Sequence, residues 1–129
     1  MSYYIFLKRL TQMNETPIKL IGNPASPYTR KMVAYLRFKR IPHQVIWGDV
    51  SDVLKPMNID PPKPILLPVL LLPRDGKLTA VTDSTPLIEE FENSYSDRSV
   101  YPEDQSLRFI NYVLEDFGDE WCTKYTVSY

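Results

Sequence analysis

Three short stretches of the sequence place hydroxyl, carboxylate or backbone groups where a helix or strand is predicted to begin. The first is Ser26-Pro27-Tyr28, ahead of a basic amphipathic stretch. The second is Leu67-Pro68-Val69, inside an apolar run, and the third is Asp83-Ser84, ahead of another helical pattern. Serine and aspartate are common helix N-caps, and the N–H groups of a first helical turn favour an anion. Each stretch therefore has a purely structural interpretation and a ligand-binding one.

Composition narrows the classes of partner. The 129 residues carry a net charge of −1, with a sequence pI of about 5.8, so neither nucleic acid nor an anionic membrane surface is expected as a partner. Cys122 is the only cysteine, which excludes an intrachain disulfide and a C-x-x-C redox pair and fits a cytoplasmic protein. The longest apolar run, 65–72, is too short to span a bilayer. His43 is the only histidine, and we expect no metal.

Hydrophobic periodicity assigns the elements around the three stretches. Ser26 suits an N-cap, with Pro27 as the first helical residue. Asp75-Gly76 is typical of a hairpin turn. Between 48 and 64 the pattern is irregular, with at most one short helix near 51–55. Strands are predicted at 18–22, 43–47, 66–73 and 78–82, and helices at 26–40, 84–94 and from about 105 to 121.

This order of elements predicts an α/β, thioredoxin-like fold. A β-α-β unit followed by a β-hairpin and a helix gives a four-stranded mixed sheet, with a right-handed crossover in the parallel pair. We expect an N-terminal extension at 1–16, this domain at 17–96, and a linker with one helix at 97–129. The last helix carries an apolar stripe that must pack against this domain or another chain: Leu107, Ile110, Leu114, Phe117 and Trp121.

The three stretches, in this order and at these element boundaries, resemble the glutathione S-transferase family. The resemblance covers about 17–95 as the glutathione-binding domain and 105–124 as the first helix of the family's all-helical second domain, which is therefore truncated here. It implies a transferase with glutathione as co-substrate, and a homodimer or other partner bound through 107–121. The alternative is a non-catalytic interaction module without a complete site for the electrophile.

The resemblance implies a catalytic role for Ser26 in stabilising the thiolate of glutathione. A thiol with a pKa of about 8.5–9 is mostly protonated at neutral pH. A hydroxyl donor to a charged acceptor contributes roughly 1.5–3 kcal/mol and a helix N-terminus roughly 0.3–1 kcal/mol, which together lower that pKa by about two units. Tyr28 is expected among the glutathione-binding residues; its hydroxyl is a rival to that of Ser26, at a position where the family usually has a packing aromatic residue. Ser26 as a mere N-cap is the alternative, and serine in place of cysteine disfavours thiol–disulfide exchange.

The same resemblance implies the remaining glutathione contacts. Pro68 is expected to be cis, with Val69 pairing with the cysteinyl backbone of glutathione; a simple edge-strand proline is the alternative. Asp83 and Ser84 are expected to hold the γ-glutamyl group, or else to serve only as a helix cap. The family often has Lys or Gln at the position of Leu66, and Lys63 is the nearest substitute. A solvated loop charge is the alternative interpretation of Lys63.

Overall fold

The computed structural model describes residues 16–125, so almost all of the predicted N-terminal extension lies outside the described residues. Four strands form one sheet in the order β2-β1-β3-β4. β1 and β2 are parallel, and β3 is antiparallel to both β1 and β4. The strands are β1 (Ile18–Gly22), β2 (His43–Trp47), β3 (Val69–Arg74) and β4 (Lys77–Val81). The helices are α1 (Pro27–Lys39), α2 (Val50–Leu54), α3 (Ser84–Ser94) and α4 (Gln105–Asp116).

The predicted thioredoxin-like fold is confirmed by this element order and topology. The chain divides between Arg98 and Ser99 into two compact units. The sheet and α1–α3 belong to the first unit, and α4 belongs to the second.

β3 is a central strand with apolar side chains on both faces of the sheet. Val69 and Leu71 pack with Val50 and Leu54 of α2 in one buried cluster. Leu70 lies between them and points to the opposite face, where it is also fully buried. Burial on both faces explains why β3 is a nearly continuous apolar run without the polar alternation of a half-exposed strand.

Several predicted boundaries are confirmed and others shift. Ser26 caps α1 and Pro27 is its first residue, as predicted. Asp75 and Gly76 form the hairpin turn, both with positive φ (48° and 77°), as a type I′ turn requires. The prediction that β3 begins at residue 66 is wrong, because the strand begins only after Pro68, which has no N–H to give to a ladder. The Leu67–Pro68 peptide bond is cis, as the resemblance implies.

A buried polar contact ties α1 to α3. Lys39 Nζ lies 3.0 Å from Glu92 Oε1, with side-chain exposures of 0% and 6%. Tyr35 donates its hydroxyl to the same carboxylate oxygen at 2.8 Å, and Lys39 also donates to the Tyr95 carbonyl at 2.6 Å. Burial raises the pKa of the Tyr95 hydroxyl. Removing one partner of a buried ion pair typically costs about 3–5 kcal/mol, so this contact constrains how the two helices lie against each other.

The predicted last helix does reach Trp121, but it is α-helical only as far as Asp116. Residues Phe117–Trp121 form a π-helical turn, and Cys122–Tyr125, including the exposed Cys122, form a 3₁₀ turn. Gly118 lies at this change, and glycine costs about 1 kcal/mol relative to alanine inside an α-helix. The apolar stripe is exposed in the structure, with Leu107 at 56% and Leu114 at 63%.

We predict that Gly22→Ala destabilises the fold, because a Cβ at Gly22 would lie 2.3 Å from Thr29 Cγ2. Thr29 is completely buried and cannot swing away into solvent. The expected loss in the free energy of unfolding is about 1–3 kcal/mol, measured by urea denaturation. Gly48→Ala is the control, because its Cβ would meet only Val53 Cγ2 at an ordinary 3.4 Å. Equal effects of the two substitutions would contradict the close approach of β1 to α1.

Candidate functional site

Strand pairing brings the three predicted stretches to one edge of the sheet. Ile21, next to the end of β1, is opposite Val69 at the start of β3. Val81, at the end of β4, is opposite Leu70. Because β1, β3 and β4 are neighbours, the segments that follow β1 and β4 and the segment that precedes β3 emerge side by side. Adjacent strands lie about 4.8 Å apart, so these segments can contact one small ligand together.

Ser26 is held in a defined loop at this edge. Its half-buried hydroxyl oxygen accepts a hydrogen bond from the Thr29 N–H at 3.2 Å, so the cap interpretation is correct. The Ser26 N–H donates to the Asn23 carbonyl at 3.0 Å, and Asn23 Oδ1 accepts from the Ala25 N–H at 2.8 Å. A cap uses only a lone pair of the hydroxyl, which leaves the O–H free in chemical terms to donate to a ligand.

Asn23 is a positioning residue that is not among those predicted from the sequence. Its side chain bonds the backbone two residues further along the chain, which is the signature of an Asx turn. The signal that could have found it is the Asn-Pro-Ala-Ser order directly after a strand. This turn sets the direction in which the chain enters α1.

The first turn of α1 favours a negatively charged ligand. It contains no acidic residue. It does contain Arg30, whose Nε donates to the Pro24 carbonyl at 2.7 Å. The unsatisfied N–H groups and the macrodipole make a helix N-terminus electropositive. Tyr28, the rival hydroxyl, is half-buried in the same turn.

Val69 can offer a ligand only its backbone. The side chains of Pro68 and Val69 are buried, and Val69 packs in the cluster with Ile21 and Leu54. The preceding segment is tied to β4 by Thr82, whose hydroxyl lies 2.6 Å from the Leu66 carbonyl oxygen and 3.2 Å from that of Pro68. Thr82 is not among the residues that the sequence pattern predicts, because a threonine at the end of a strand is unremarkable in a sequence.

Asp83 and Ser84 hold polar groups that the protein leaves unused. Asp83 precedes α3, but its exposed carboxylate forms no cap bond, and within residues 16–125 it forms no hydrogen bond or ion pair. Ser84 is only 6% exposed, and its hydroxyl likewise has no hydrogen-bond partner in the described part of the chain. Asp83 therefore occupies the N-cap position of α3 without contributing a side-chain cap bond.

The backbone of Asp83 is strained, with φ 78° and ψ 106°. A non-glycine residue in a sparsely populated region of this kind typically costs about 1–3 kcal/mol. Such strain persists where the surrounding structure imposes it, and it is concentrated at ligand-binding sites. The conformation therefore points to a functional constraint at the start of α3.

Lys63 is not brought to the sheet edge by the strand pairing. It is exposed on the loop before β3, followed by a second cis proline bond to Pro64. Within the described residues its ammonium group forms no hydrogen bond or ion pair. Leu66, at the position where the family often has Lys or Gln, is 50% exposed.

Within residues 16–125, no group of three or more His, Cys, Asp or Glu side chains is placed to hold a metal ion. No helix in this part of the chain has the length and apolar character that crossing a membrane requires.

The comparisons with known proteins agree with the fold. The family model described as glutathione S-transferase, N-terminal domain, matches residues 20–99. The chain therefore belongs to the glutathione S-transferase family. No curated protein matches the chain.

Solved structures with the same fold include glutathione S-transferases. A Methylobacterium radiotolerans enzyme in complex with glutathione sulfonate is 25% identical, with a TM-score of 0.68 over 84% of this chain and 49% of that one. The Tau class enzyme of mango, Mangifera indica, is 23% identical, with a TM-score of 0.62 over 81% and 46%. A Ceriporiopsis subvermispora enzyme in complex with glutathione is 25% identical, with a TM-score of 0.52 over 81% and 48%. The chain thus spans about half the length of these relatives.

We predict that Asp83→Gly stabilises the fold by about 1 kcal/mol. Glycine adopts a positive φ without a Cβ clash, and this gain of about 1–3 kcal/mol exceeds the roughly 0.5–1 kcal/mol entropic cost of glycine. Asp83→Ala is the matched control, because it removes the same carboxylate but keeps the strain. Urea denaturation should rank the glycine variant above the alanine variant. Alanine and glycine variants of equal stability would show that the backbone here is unstrained.

Proposed function

We propose that the chain binds glutathione at this sheet edge and stabilises its thiolate for conjugation to an electrophile. The observation that carries the proposal is the pair of unused polar groups at the start of α3. Within the described residues neither the Ser84 hydroxyl nor the Asp83 carboxylate has a hydrogen-bond partner, so both are available to a ligand. One related structure in complex with glutathione and another in complex with glutathione sulfonate support the choice of ligand.

The start of α3 suits the γ-glutamyl end of glutathione. Its α-carboxylate would accept from the Ser84 hydroxyl and from N–H groups of the first helical turn, which have no intrahelical acceptor. Its ammonium group would pair with the Asp83 carboxylate. Pro86 lies in the same turn and supplies no N–H, so the backbone donors come from the residues before it. One zwitterionic amino acid group therefore has complementary partners on two consecutive residues.

The start of β3 suits the cysteinyl backbone of glutathione. The ladder of β3 with β4 ends at Leu70 opposite Val81, and Pro68 has no N–H. An extended peptide can add to such a strand end by main-chain hydrogen bonds, as in β-augmentation. The Val69 backbone would form hydrogen bonds with the backbone of the cysteinyl residue of glutathione. This contact would orient the thiol toward α1.

Ser26 would then act on the thiol. Its O–H donates to the sulfur while its oxygen keeps the cap bond from the Thr29 N–H. The thiol proton leaves to solvent, and the thiolate forms a bond from sulfur to an electrophilic carbon. The leaving group of the electrophile departs with the bonding electron pair. The electropositive first turn of α1, with no acidic residue, adds to the preference for the thiolate.

Lys63 is the proposed partner of the glycyl carboxylate. Its exposed ammonium group has no competing partner within residues 16–125. An exposed ion pair contributes about 0–1 kcal/mol, so Lys63 would adjust affinity modestly.

The second candidate function is a non-catalytic interaction module that keeps the same fold. The exposed apolar side chains of α4 favour it, among them Phe109 at 68% and Leu114 at 63%. It remains a prediction that α4 pairs with a second copy of the chain. A cytoplasmic location also remains a prediction.

The two candidate functions differ in what they require of Ser26, because an interaction module needs no thiolate.

We predict that Ser26→Ala raises the pKa of the bound glutathione thiol and slows conjugation with a model electrophile about 10- to 100-fold. The reason is the loss of a donor to a charged acceptor, worth roughly 1.5–3 kcal/mol. Ultraviolet absorbance of the thiolate as a function of pH measures the pKa. Ser26→Thr is the control that retains both hydroxyl and cap.

Ser84→Ala separates binding from activation. It should weaken glutathione binding about 10-fold and leave the thiol pKa of saturated protein unchanged, whereas Ser26→Ala should do the reverse. An unchanged thiol pKa in Ser26→Ala would contradict the catalytic role and favour the interaction module.

A further inference from the structure

We propose that Thr82 is a positioning residue that sets the spacing between the Val69 backbone and the Asp83–Ser84 pair. The inference rests on the proposed function, because it concerns the same ligand. The Thr82 hydroxyl lies 2.6 Å from the Leu66 carbonyl oxygen and 3.2 Å from the Pro68 carbonyl oxygen. These two carbonyl groups belong to the residues on either side of Leu67, directly before β3.

The position of Thr82 explains why a side chain is needed there. The last paired residues of β3 and β4 are Leu70 and Val81, so Thr82 is the first residue of its strand beyond the ladder. On the other side, Pro68 has no N–H with which to extend the ladder. The Thr82 hydroxyl donates where the sheet hydrogen bonds have stopped, and it holds the two chain segments together beyond that point.

The two segments held by Thr82 carry different contacts for the same ligand. Val69, immediately after Pro68, is the proposed clamp for the cysteinyl residue. Asp83 and Ser84, immediately after Thr82, are the proposed partners of the γ-glutamyl residue. A ligand that spans both segments binds tightly only if their separation is fixed beforehand, because ordering a loose segment on binding lowers affinity.

Thr82 itself is not a ligand contact. A hydroxyl has one proton, and that proton is directed to the carbonyl groups of the preceding loop. Removing the hydroxyl should therefore leave the groups of each half of the site unchanged, but the separation between the two halves would no longer be fixed. The effect should appear in glutathione affinity and leave the pKa of the bound thiol unchanged.

The test is a double-mutant cycle on the full chain with glutathione as the titrant. Thr82→Val keeps the shape of the side chain and removes the hydroxyl, and it should raise the Kd for glutathione about 10-fold. Thr82→Ser retains the donor and should restore binding to within about twofold of the original. In a Ser84→Ala background, Thr82→Val should have little further effect, because the γ-glutamyl contact it positions is already lost.

The outcomes separate this inference from the proposed function. Failure of the unsubstituted chain to bind glutathione would overturn both. Normal binding by Thr82→Val, with the unsubstituted chain binding, would overturn the role of Thr82 alone. An equal loss with and without Ser84→Ala would also overturn it, because a general loss of structure would weaken every variant alike. If the Thr82→Val variant does not fold, Thr82→Ala replaces it in the same comparison of glutathione Kd values.

Discussion

The absence of an N–H on Pro68 constrains the whole edge of the sheet on which the candidate site depends. β3 cannot begin before Val69, and the ladder with β4 ends one pair further along. Main-chain groups at this edge are consequently available to something other than the sheet. The protein holds the edge in place by other means, through the Thr82 hydroxyl on one side and the capped loop of Ser26 on the other.

Helix packing extends this constraint to the polar groups around the edge. Gly22 allows Thr29 to approach β1 closely, which fixes the first turn of α1 beside the sheet. Near the opposite ends of the helices, the buried pair of Lys39 and Glu92 joins α1 to α3. This packing leaves the Ser84 hydroxyl and the Asp83 carboxylate without partners among the described residues.

Much of this arrangement could be predicted from local patterns. Ser26-Pro27 marks a helix start and Asp75-Gly76 a hairpin turn because each rests on the chemistry of one or two residues. The buried role of Lys39 could not be predicted, because it depends on a carboxylate 53 positions away in the sequence. The strain at Asp83 and the contacts of Thr82 likewise depend on how neighbouring segments meet. After Asp116 the helix changes from α-helical to π-helical hydrogen bonding. The apolar stripe in the sequence indicates which face of the helix is apolar, but it does not determine this hydrogen-bond pattern.

The most direct test of a glutathione site at this edge is a titration of the chain with glutathione, followed by amide chemical shifts. A glutathione site here predicts saturable shifts concentrated at Ser26, Val69, Asp83 and Ser84, with the amides near Lys39 and Glu92 unmoved. A folded, well-dispersed spectrum that does not change at millimolar glutathione would contradict it. The chain would then keep the fold of a glutathione-binding domain without binding glutathione.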